Sequence, residues 1–382
     1  MLWGKGERTM EYRKARPEEE EQLLDFINLV FSQAHEPHDF AALLPKVYAH
    51  PGFSRYHLVA AEQGSILATV AMLPLTLRVE EGVMLRCGYV GSVSVHPRKR
   101  GAGHMRRLMA MTLEEAKAQG MDFVALGGQR QRYAYYGFER GGEKLEFMVN
   151  GANIRHAVQA AGDLCLREIT DRQDRAIAFL CRLTAVQPMT CVRKENDFYD
   201  IMRSWHGRYY ALERDGEILG GLYAIGDEIT ELVLAEENLC EQAVAAWLQR
   251  QERCTVRVPA CNRVRANCLK RFSENYTVSD AAMYRVLNWQ RVLENCLSFK
   301  SSYQPLCDGE FIFEVEGEGR YRIRVQDHAP KVLPCADAPQ MVCTPQKAVE
   351  FFLSPYTALE TVSPMLRSWL PLPLGIPAAD GF

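Results

Sequence analysis

The sequence has 382 residues and no run of about 20 apolar residues, the length that a membrane-spanning helix needs. Residues 1–13 are polar and charged and lack the apolar core of a signal peptide. No two cysteines have the Cys-x-x-Cys spacing of zinc or thioredoxin-type sites, and the closest are Cys254, Cys261 and Cys268. We therefore expect a cytoplasmic protein with no membrane contact and no metal, whose twelve cysteines pack as small apolar side chains.

Neither positive nor negative charge dominates: the sequence has 45 basic and 48 acidic residues, a net charge of −3. Such a balance gives no overall attraction to nucleic acid. The chain is 47% hydrophobic, enough for buried cores. At about 150 residues per domain, its length predicts two or three domains.

The predicted elements follow an α/β order. Apolar residues recur at helical spacing between Pro17 and Phe31, and a second helix is predicted from His104 to Gln119, ahead of Gly120. Strands are predicted over residues 56–61, 65–73, 76–90, 90–96 and 123–126. A helix, a strand meander, a glycine-rich turn, a helix and a strand are together typical of an α/β fold.

Two segments further suggest an internal repeat. Glu62-Gln63-Gly64-Ser65 and Arg214-Asp215-Gly216-Glu217 each predict a turn between two strands, although chance likeness of two hairpins explains this equally well. From Met283 onwards a helix (285–297), two strands (311–315 and 321–325), a helix (344–353) and a proline-rich tail predict an α+β domain. The predicted domains are 1–150, 151–282 and 283–382.

The segment Val93–His104 places glycines and cations between a strand and the first turn of a helix. Free N–H groups and the positive end of the helix dipole make such a place an anion site. Glycines let the backbone approach a pyrophosphate closely, and arginines add charge-assisted hydrogen bonds. The alternative is a solvated surface run of charges at Arg98, Lys99 and Arg100.

The pattern Arg98-x-x-Gly101-x-Gly103 after a strand resembles the coenzyme A signature of the GCN5-related N-acetyltransferase (GNAT) superfamily. Downstream, Tyr133-x-x-x-Gly137-Phe138 resembles the catalytic tyrosine and strand entry of that family. The resemblance implies acetyl-coenzyme A as cosubstrate. The coenzyme-binding residues that it predicts are Val93, Ser94, Val95, Arg98, Lys99, Arg100, Gly101, Ala102, Gly103 and His104.

The layout of the whole chain resembles a narrower group, the Eis-like acetyltransferases. These have an active GNAT domain, a second GNAT-like domain without the cofactor site and a C-terminal domain like sterol carrier protein. The resemblance therefore implies two tandem GNAT folds followed by that α+β domain, and a homo-oligomer. It also implies that the C-terminal carboxylate of a final aromatic residue, here Phe382, enters the active site.

Two residues are the candidate catalytic groups. Tyr133 is the candidate general acid for the departing thiolate, and Tyr135 and Tyr136 are its close rivals. The carboxylate of Phe382 is a poor base for an amine, because their ordinary pKa values differ by about seven units. We expect it to anchor the substrate ammonium, the alternative being a frayed tail. The side chain of His104 is expected to be structural.

The predicted function is direct transfer of an acetyl group from acetyl-coenzyme A to a primary amine in a ternary complex. The resemblance implies an aminoglycoside-like amine, a polyamine or a lysine side chain as acceptor. One alternative is a protein or peptide N-acetyltransferase. The other is a non-catalytic protein that binds acyl-coenzyme A or lipid. A deep acidic pocket would suit a small polyamine, and a shallow groove would suit a peptide.

Overall fold

A computed structural model of the chain describes residues 10–34, 36–157 and 163–382. Its strands are β1 (Met10–Lys14), β2 (His57–Glu62), β3 (Ser65–Glu80), β4 (Val83–Val95), β5 (Phe123–Leu126), β6 (Glu139–Asn150), β7 (Cys165–Glu168), β8 (Thr190–Cys191), β9 (Arg208–Arg214), β10 (Glu217–Ile225), β11 (Glu228–Leu234), β12 (Arg253–Val258), β13 (Asn275–Val286), β14 (Gly309–Val315), β15 (Gly319–Gln326), β16 (Ala329–Pro334) and β17 (Met341–Cys343). Its α-helices are α1 (Glu20–Ala34), α2 (Phe40–Leu43), α3 (Pro45–Tyr48), α4 (His104–Ala118), α5 (Arg130–Tyr133), α6 (Gly151–Ala157), α7 (Ala176–Ala185), α8 (Glu195–Arg203), α9 (Cys240–Leu248), α10 (Arg263–Lys270), α11 (Trp289–Tyr303), α12 (Pro345–Leu353), α13 (Thr357–Glu360) and α14 (Pro364–Trp369). Helices and strands are mixed along the whole chain, so the predicted mixed α/β class is confirmed.

The strands form two sheets. The larger one has 13 strands in the order β1-β2-β3-β4-β5-β13-β6-β12-β11-β10-β9-β7, with β8 paired to β3. The smaller one has four strands in the order β16-β15-β14-β17. The predicted strands 65–73, 76–90 and 90–96 are in fact two long ones, β3 and β4, joined at Glu81-Gly82. Pro74 does not break β3, since it remains in register opposite Gly88.

The internal repeat is real and extends well beyond the two turns that suggested it. The β2–β3 hairpin turns on Gln63 and Gly64, with φ values of 52° and 77°, and the β9–β10 hairpin turns on Asp215 and Gly216, with 51° and 81°. In both units the next strand is followed by a helix and then by a parallel strand, as β4-α4-β5 and as β11-α9-β12. The chain therefore builds the same α/β unit twice.

The two units share strands. β13, the last strand of the second unit, lies between β5 and β6 and pairs antiparallel with both. β6 in turn pairs antiparallel with β12. Neither unit thus completes its part of the sheet without a strand from the other. β13 also crosses position 282/283, where the sequence analysis divides the second and third domains.

The C-terminal unit packs against one face of the larger sheet, over strands β3, β4 and β5. Its four-stranded sheet, α11 and α12 share one core with Leu77, Leu85 and Phe123 of the first unit. The predicted helix 285–297 begins later, at Trp289, because Arg285 and Val286 still belong to β13 and the Asn288 side chain caps the helix. The likeness of this unit to sterol carrier protein stays a prediction.

Helices cover both faces of the first unit. α4 packs on one face with Leu58, Val70 and Val90, and α1 to α3 pack on the other with Val59 and Ala71. All twelve cysteines lie in the described part of the chain and are free. Within the described ranges, no helix is both long enough and apolar enough for a membrane crossing.

The shared strands predict that a fragment of residues 1–150 does not fold alone. It lacks β13, so β5 and β6 both lose a hydrogen-bonded neighbour, and the face covered by the C-terminal unit is exposed. In urea we expect no cooperative unfolding transition of the fragment by circular dichroism, and strong binding of an apolar dye. The full chain is the control. A cooperative transition of the fragment would instead show that residues 1–150 fold independently.

Candidate active site

The site begins at a bulge near the end of β4. The pairing of β4 with β3 slips between Ala71↔Gly91 and Thr69↔Ser94, and Ser92 takes a φ of 48°. The parallel pairing of β4 with β5 ends at Val90↔Leu126. Beyond this point, the edge of β4 that faces β5 has no partner strand among the described residues. The strand therefore presents free backbone groups to the space between β4 and β5.

A glycine turn and a helix start border the same space. Gly101 and Gly103 both have a φ of 82°, and a Cβ at either would meet no atom within 4 Å. Gly103 is the N-cap of α4, and its carbonyl accepts the first helical hydrogen bond, from Arg107. The N–H groups of the first turn consequently have no acceptor within the helix. The turn is an open cradle of N–H groups at the positive end of a helix dipole.

The predicted coenzyme-binding residues divide into two groups. Those that line the cavity are Val93, Val95, Lys99, Arg100, Gly101, Ala102, Gly103 and His104. Ser94 and Arg98 do not line it: Ser94 is buried, with its hydroxyl donating to the Ser92 carbonyl at 3.1 Å, and Arg98 is exposed. Lys99 forms an ion pair with Glu62 at 3.2 Å. The His104 imidazole is buried and hydrogen-bonded to the hydroxyl of Tyr12 at 2.8 Å, a structural contact.

Tyr133, at the end of α5, borders the same space as the glycine turn. Its ring packs so closely on Gly128 that a Cβ there would be 2.9 Å from a ring carbon. Burial raises the pKa of Tyr133. Within the described part of the chain its hydroxyl makes no hydrogen bond. Of its rivals, Tyr136 also lines the cavity, whereas Tyr135 is 88% exposed and does not.

The C-terminal tail enters the same cavity from the far end of the chain. Gly381 and Phe382 line it, together with Tyr133. The Phe382 ring lies on the bulge of β4, where a Cβ on Gly91 would be 2.1 Å from it. The ring is also edge-on to Tyr48, with centroids 6.2 Å apart. The structure thus brings together the two residues that the sequence analysis named as candidate catalytic groups.

Two side chains hold the last turn of the tail. The Lys46 ammonium donates to the Ala379 carbonyl at 2.5 Å and also to the Gly381 carbonyl. The indole of Trp205 donates to that Gly381 carbonyl at 3.2 Å. Burial lowers the pKa of Lys46 to about 7, although the Asp380 carboxylate opposes the shift.

A buried ion cluster holds the tail to the second unit. The guanidinium of Arg193, whose side chain is 2% exposed, donates to Asp380 at 2.7 Å and 3.0 Å. It also donates to both oxygens of Glu231 in β11, at 2.6 Å and 2.7 Å. Burial opposes the charge on Arg193, but the two carboxylates outweigh it and the pKa of Arg193 is raised. The second unit thus fixes a segment of the active site of the first.

Behind the bulge lies a buried chain of hydrogen bonds. The hydroxyls of Tyr48 and Ser92 are 2.6 Å apart, and the Tyr48 hydroxyl is 3.3 Å from Nε2 of His57. Burial lowers the pKa of His57 to about 3, so this histidine is neutral over the physiological range and serves as a packing and hydrogen-bonding group. The chain fixes Ser92 in its left-handed conformation, and with it the bulge.

The glycine turn, Tyr133, the β4 bulge and the end of the tail line one cavity of about 1410 Å³. It runs from the glycine turn, past Tyr133 and the β4 bulge, to α1, the segment before α3 and the tail. A volume of this size exceeds the usual range for a single small-molecule site, so it is large enough for an extended cosubstrate together with an acceptor.

Sequence reasoning missed the residues that hold the tail and the bulge, namely Lys46, Tyr48, Ser92, Arg193, Trp205 and Asp380. Only Gly91, a glycine inside a strand, gave a local signal, because such a residue often marks a bulge or a close approach. No group of three or more metal ligands occurs among the described residues. The segment His35-Glu36-Pro37-His38 contains possible metal ligands, but its proline favours a loop between helices, and its His35 lies outside the described residues.

Comparisons with known proteins relate part of the chain to one family. The family described as an acetyltransferase (GNAT) domain matches residues 11–141. No curated protein matches the chain.

Several solved structures share the fold over nearly the full length. A GCN5-related N-acetyltransferase from Anabaena variabilis has a TM-score of 0.70 at 16% identity, over 98% of this chain and 100% of its own. Eis1 from Mycobacterium abscessus has a TM-score of 0.68 at 14% identity, over 97% and 100%. A probable N-acyltransferase from Enterococcus faecalis has 0.66 at 14% identity, over 90% of each. Likeness at this level of identity shows the fold, and the family match over residues 11–141 identifies the chain as an acetyltransferase with a GNAT domain.

Proposed function

We propose that the protein transfers an acetyl group from acetyl-coenzyme A directly to a primary amine. The observation that carries the proposal is the opening between β4 and β5. There, the free edge of β4, the glycine turn, Tyr133 and the C-terminus all border one cavity. The resemblance predicts an aminoglycoside-like amine, a polyamine or a lysine side chain as the acceptor. It also predicts that the protein forms a homo-oligomer.

The cosubstrate would lie along the edge of β4. Its pyrophosphate fits the N–H cradle of Gly101 to His104, and the Arg100 guanidinium at the cavity adds charge. Its pantetheine arm would pair with the backbone of Val93 and Val95, as an added strand would. A backbone N–H on this edge would also polarise the thioester carbonyl and stabilise the oxyanion that forms there.

In the reaction, the amine nitrogen attacks the thioester carbonyl carbon, so that a C–N bond forms and the C–S bond breaks. The thiolate of coenzyme A leaves with the electron pair and takes a proton from the Tyr133 hydroxyl. Between ordinary pKa values of 10 and 8.5 this proton transfer is uphill by about 2 kcal/mol. Burial raises the pKa of Tyr133 further, but the same dry surroundings raise the pKa of the departing thiol, so the two effects oppose each other.

The terminal carboxylate would hold the acceptor amine in place. A carboxylate and an ammonium ion form a charge-assisted hydrogen bond, and the pair orients the nitrogen toward the thioester. The amine must lose one proton before it attacks and another afterwards. Water in the cavity accepts the first, and the second returns through water to the Tyr133 phenolate, so that one proton is released in each turnover. A protein or peptide acceptor is the second candidate within the same chemistry.

The direct test of the proposal is turnover of acetyl-coenzyme A with a panel of amines, in the wild type and in Tyr133→Phe. Loss of a general acid lowers kcat by about 10²–10⁴-fold, while the affinity for acetyl-coenzyme A stays nearly the same. Tyr135→Phe is the matched control, because this exposed tyrosine lies two residues away, and its kcat should equal that of the wild type. If Tyr136→Phe loses kcat to this extent and Tyr133→Phe does not, Tyr136 is the general acid instead. Tight coenzyme binding without turnover on any amine would favour the non-catalytic alternative.

The positions of the two arginines predict a difference in coenzyme affinity. Arg100→Ala removes a charge that lines the cavity, and we expect the Kd for coenzyme A to rise about tenfold, or about 1.4 kcal/mol. Arg98→Ala, in the same turn but outside the cavity, should change the Kd less than about threefold, as expected for a surface charge. Titration calorimetry measures both. Equal effects would mean that the turn binds through its overall charge.

The position of the carboxylate can be changed without removing the aromatic ring. One glycine added after Phe382 moves the terminal carboxylate by up to about 3.5 Å. We expect the KM for the amine to rise at least about tenfold, because the ammonium loses its partner. The Kd for acetyl-coenzyme A and the melting temperature are the controls and should stay within error. An unchanged KM for the amine would show that the carboxylate has no part in binding it.

A further inference from the structure

Two cysteines of the second unit meet at the helix start that corresponds to the glycine turn of the first unit. Cys240 is the first residue of α9, the helix that takes the place of α4 in the repeat. Cys268 lies in α10, which packs beside α9, and it contacts the apolar cluster that contains Cys240. The two thiols form a side-chain hydrogen bond. Two helices that are separate in the sequence thus bring a pair of sulfur atoms together.

The two sulfur atoms differ in their access to solvent and in their ease of ionisation. Cys240 is buried, whereas Cys268 is partly exposed and accepts a hydrogen bond from Nη2 of Arg271 at 3.7 Å. The hydrogen bond from Cys240, together with Arg271, lowers the pKa of Cys268 to about 7, although burial and Glu241 oppose the shift. The same bond and burial raise the pKa of Cys240. Cys268 is therefore the thiolate that solvent reaches, and Cys240 is its protonated partner.

We propose that Cys268 and Cys240 form a redox-active dithiol that hydrogen peroxide oxidises to a disulfide. First, the Cys268 thiolate attacks one oxygen of the peroxide, so that an S–O bond forms, the O–O bond breaks, and hydroxide leaves and takes a proton from water. The Cys240 sulfur then attacks the sulfur of the resulting sulfenic acid, so that the S–S bond forms and the S–O bond breaks. The second hydroxide leaves with the Cys240 proton as water. The dithiol loses two electrons, and one peroxide becomes two waters.

The dithiol is separate from the acetyl-transfer site. Neither cysteine lines the active-site cavity, and neither does Arg271. At the helix start that holds the anion cradle in the first unit, the second unit has Glu236 and Glu237, followed by Cys240. The repeat thus places a different chemistry at the same point of the fold, one that does not require acetyl transfer.

The first arm of the test oxidises the full wild-type chain with equimolar hydrogen peroxide at neutral pH. Free thiols are then alkylated, and the protein is digested with trypsin without reduction. Cys240 and Cys268 fall on different peptides, 215–250 and 266–270, each with a single cysteine. We expect mass spectrometry to find these two peptides joined, and a reductant to separate them. Thiol loss should be at least about tenfold faster at Cys268 than at Cys165 and Cys307, although both are more exposed.

The second arm changes the surroundings of the Cys268 sulfur. Cys240→Ser removes the second sulfur, so oxidation of Cys268 should stop at the sulfenic or sulfinic acid, a gain of about 16 or 32 Da. Arg271→Ala removes the cation beside the thiolate and should slow oxidation of Cys268 at least about threefold. Lys270→Ala is the matched control, because it removes an exposed charge of the same sign one residue away and should leave the rate unchanged. A cooperative thermal transition verifies that each variant is folded.

Three outcomes would overturn the dithiol. The first is thiol loss at Cys268 that is no faster than at Cys165 and Cys307. The second is a wild-type protein in which Cys268 is oxidised but peptides 215–250 and 266–270 remain separate, since Cys268 would then be a reactive thiol without a partner. The third is an equal rate in Arg271→Ala, Lys270→Ala and the wild type. None of these results bears on acetyl transfer, which is measured separately.

Discussion

The buried contact of Arg193 with Asp380 and Glu231 is the constraint on which the active site depends. It joins a loop and a strand of the second unit to the tail of the chain. Ions out of water are stable only when their partners are complete, so removal of one carboxylate would leave a buried charge and cost about 3–5 kcal/mol. The second unit has Glu236 and Glu237 where the first has its glycine turn, and so it cannot repeat the anion cradle. Its part in the site is to position the tail.

The tail and the β4 bulge define each other. A side chain at position 91 would clash with the Phe382 ring, which occupies the space of the Cβ. The absence of a Cβ at Gly91 in turn lets the ring pack directly on the backbone of β4. Tyr48 contacts both partners, through its hydroxyl to Ser92 and through its ring to Phe382. The bulge of β4 and the ring of Phe382 are therefore one packed unit. A substitution that displaces the bulge should therefore displace the Phe382 ring as well, and the reverse.

Local features could be predicted from the sequence and long-range ones could not. The glycine turn and α4 were predicted because positive φ at Gly101 and Gly103 and the periodicity of residues 104–118 are properties of neighbouring residues. The Gln63-Gly64 hairpin was found for the same reason. The place of β13 between β5 and β6 leaves no local mark, and Arg193 meets Asp380 across 187 positions. The entry of the tail into the cavity was foreseen from a resemblance alone.

The same distinction explains why the proposed acceptor end of the cavity could not be predicted from the sequence. The end proposed to hold the thioester is built around backbone groups of one continuous segment, residues 93–104, so a short motif describes it. The acceptor end is assembled from α1, α2, a turn of the second unit and the terminus, and no spacing relates Phe31 to Trp205 or Phe382. Most of the residues that form it are apolar, and none of the described residues that line the cavity is aspartate or glutamate. Resemblance in the chemistry of transfer therefore carries little information about the acceptor, since the two ends of the cavity are encoded by different parts of the chain.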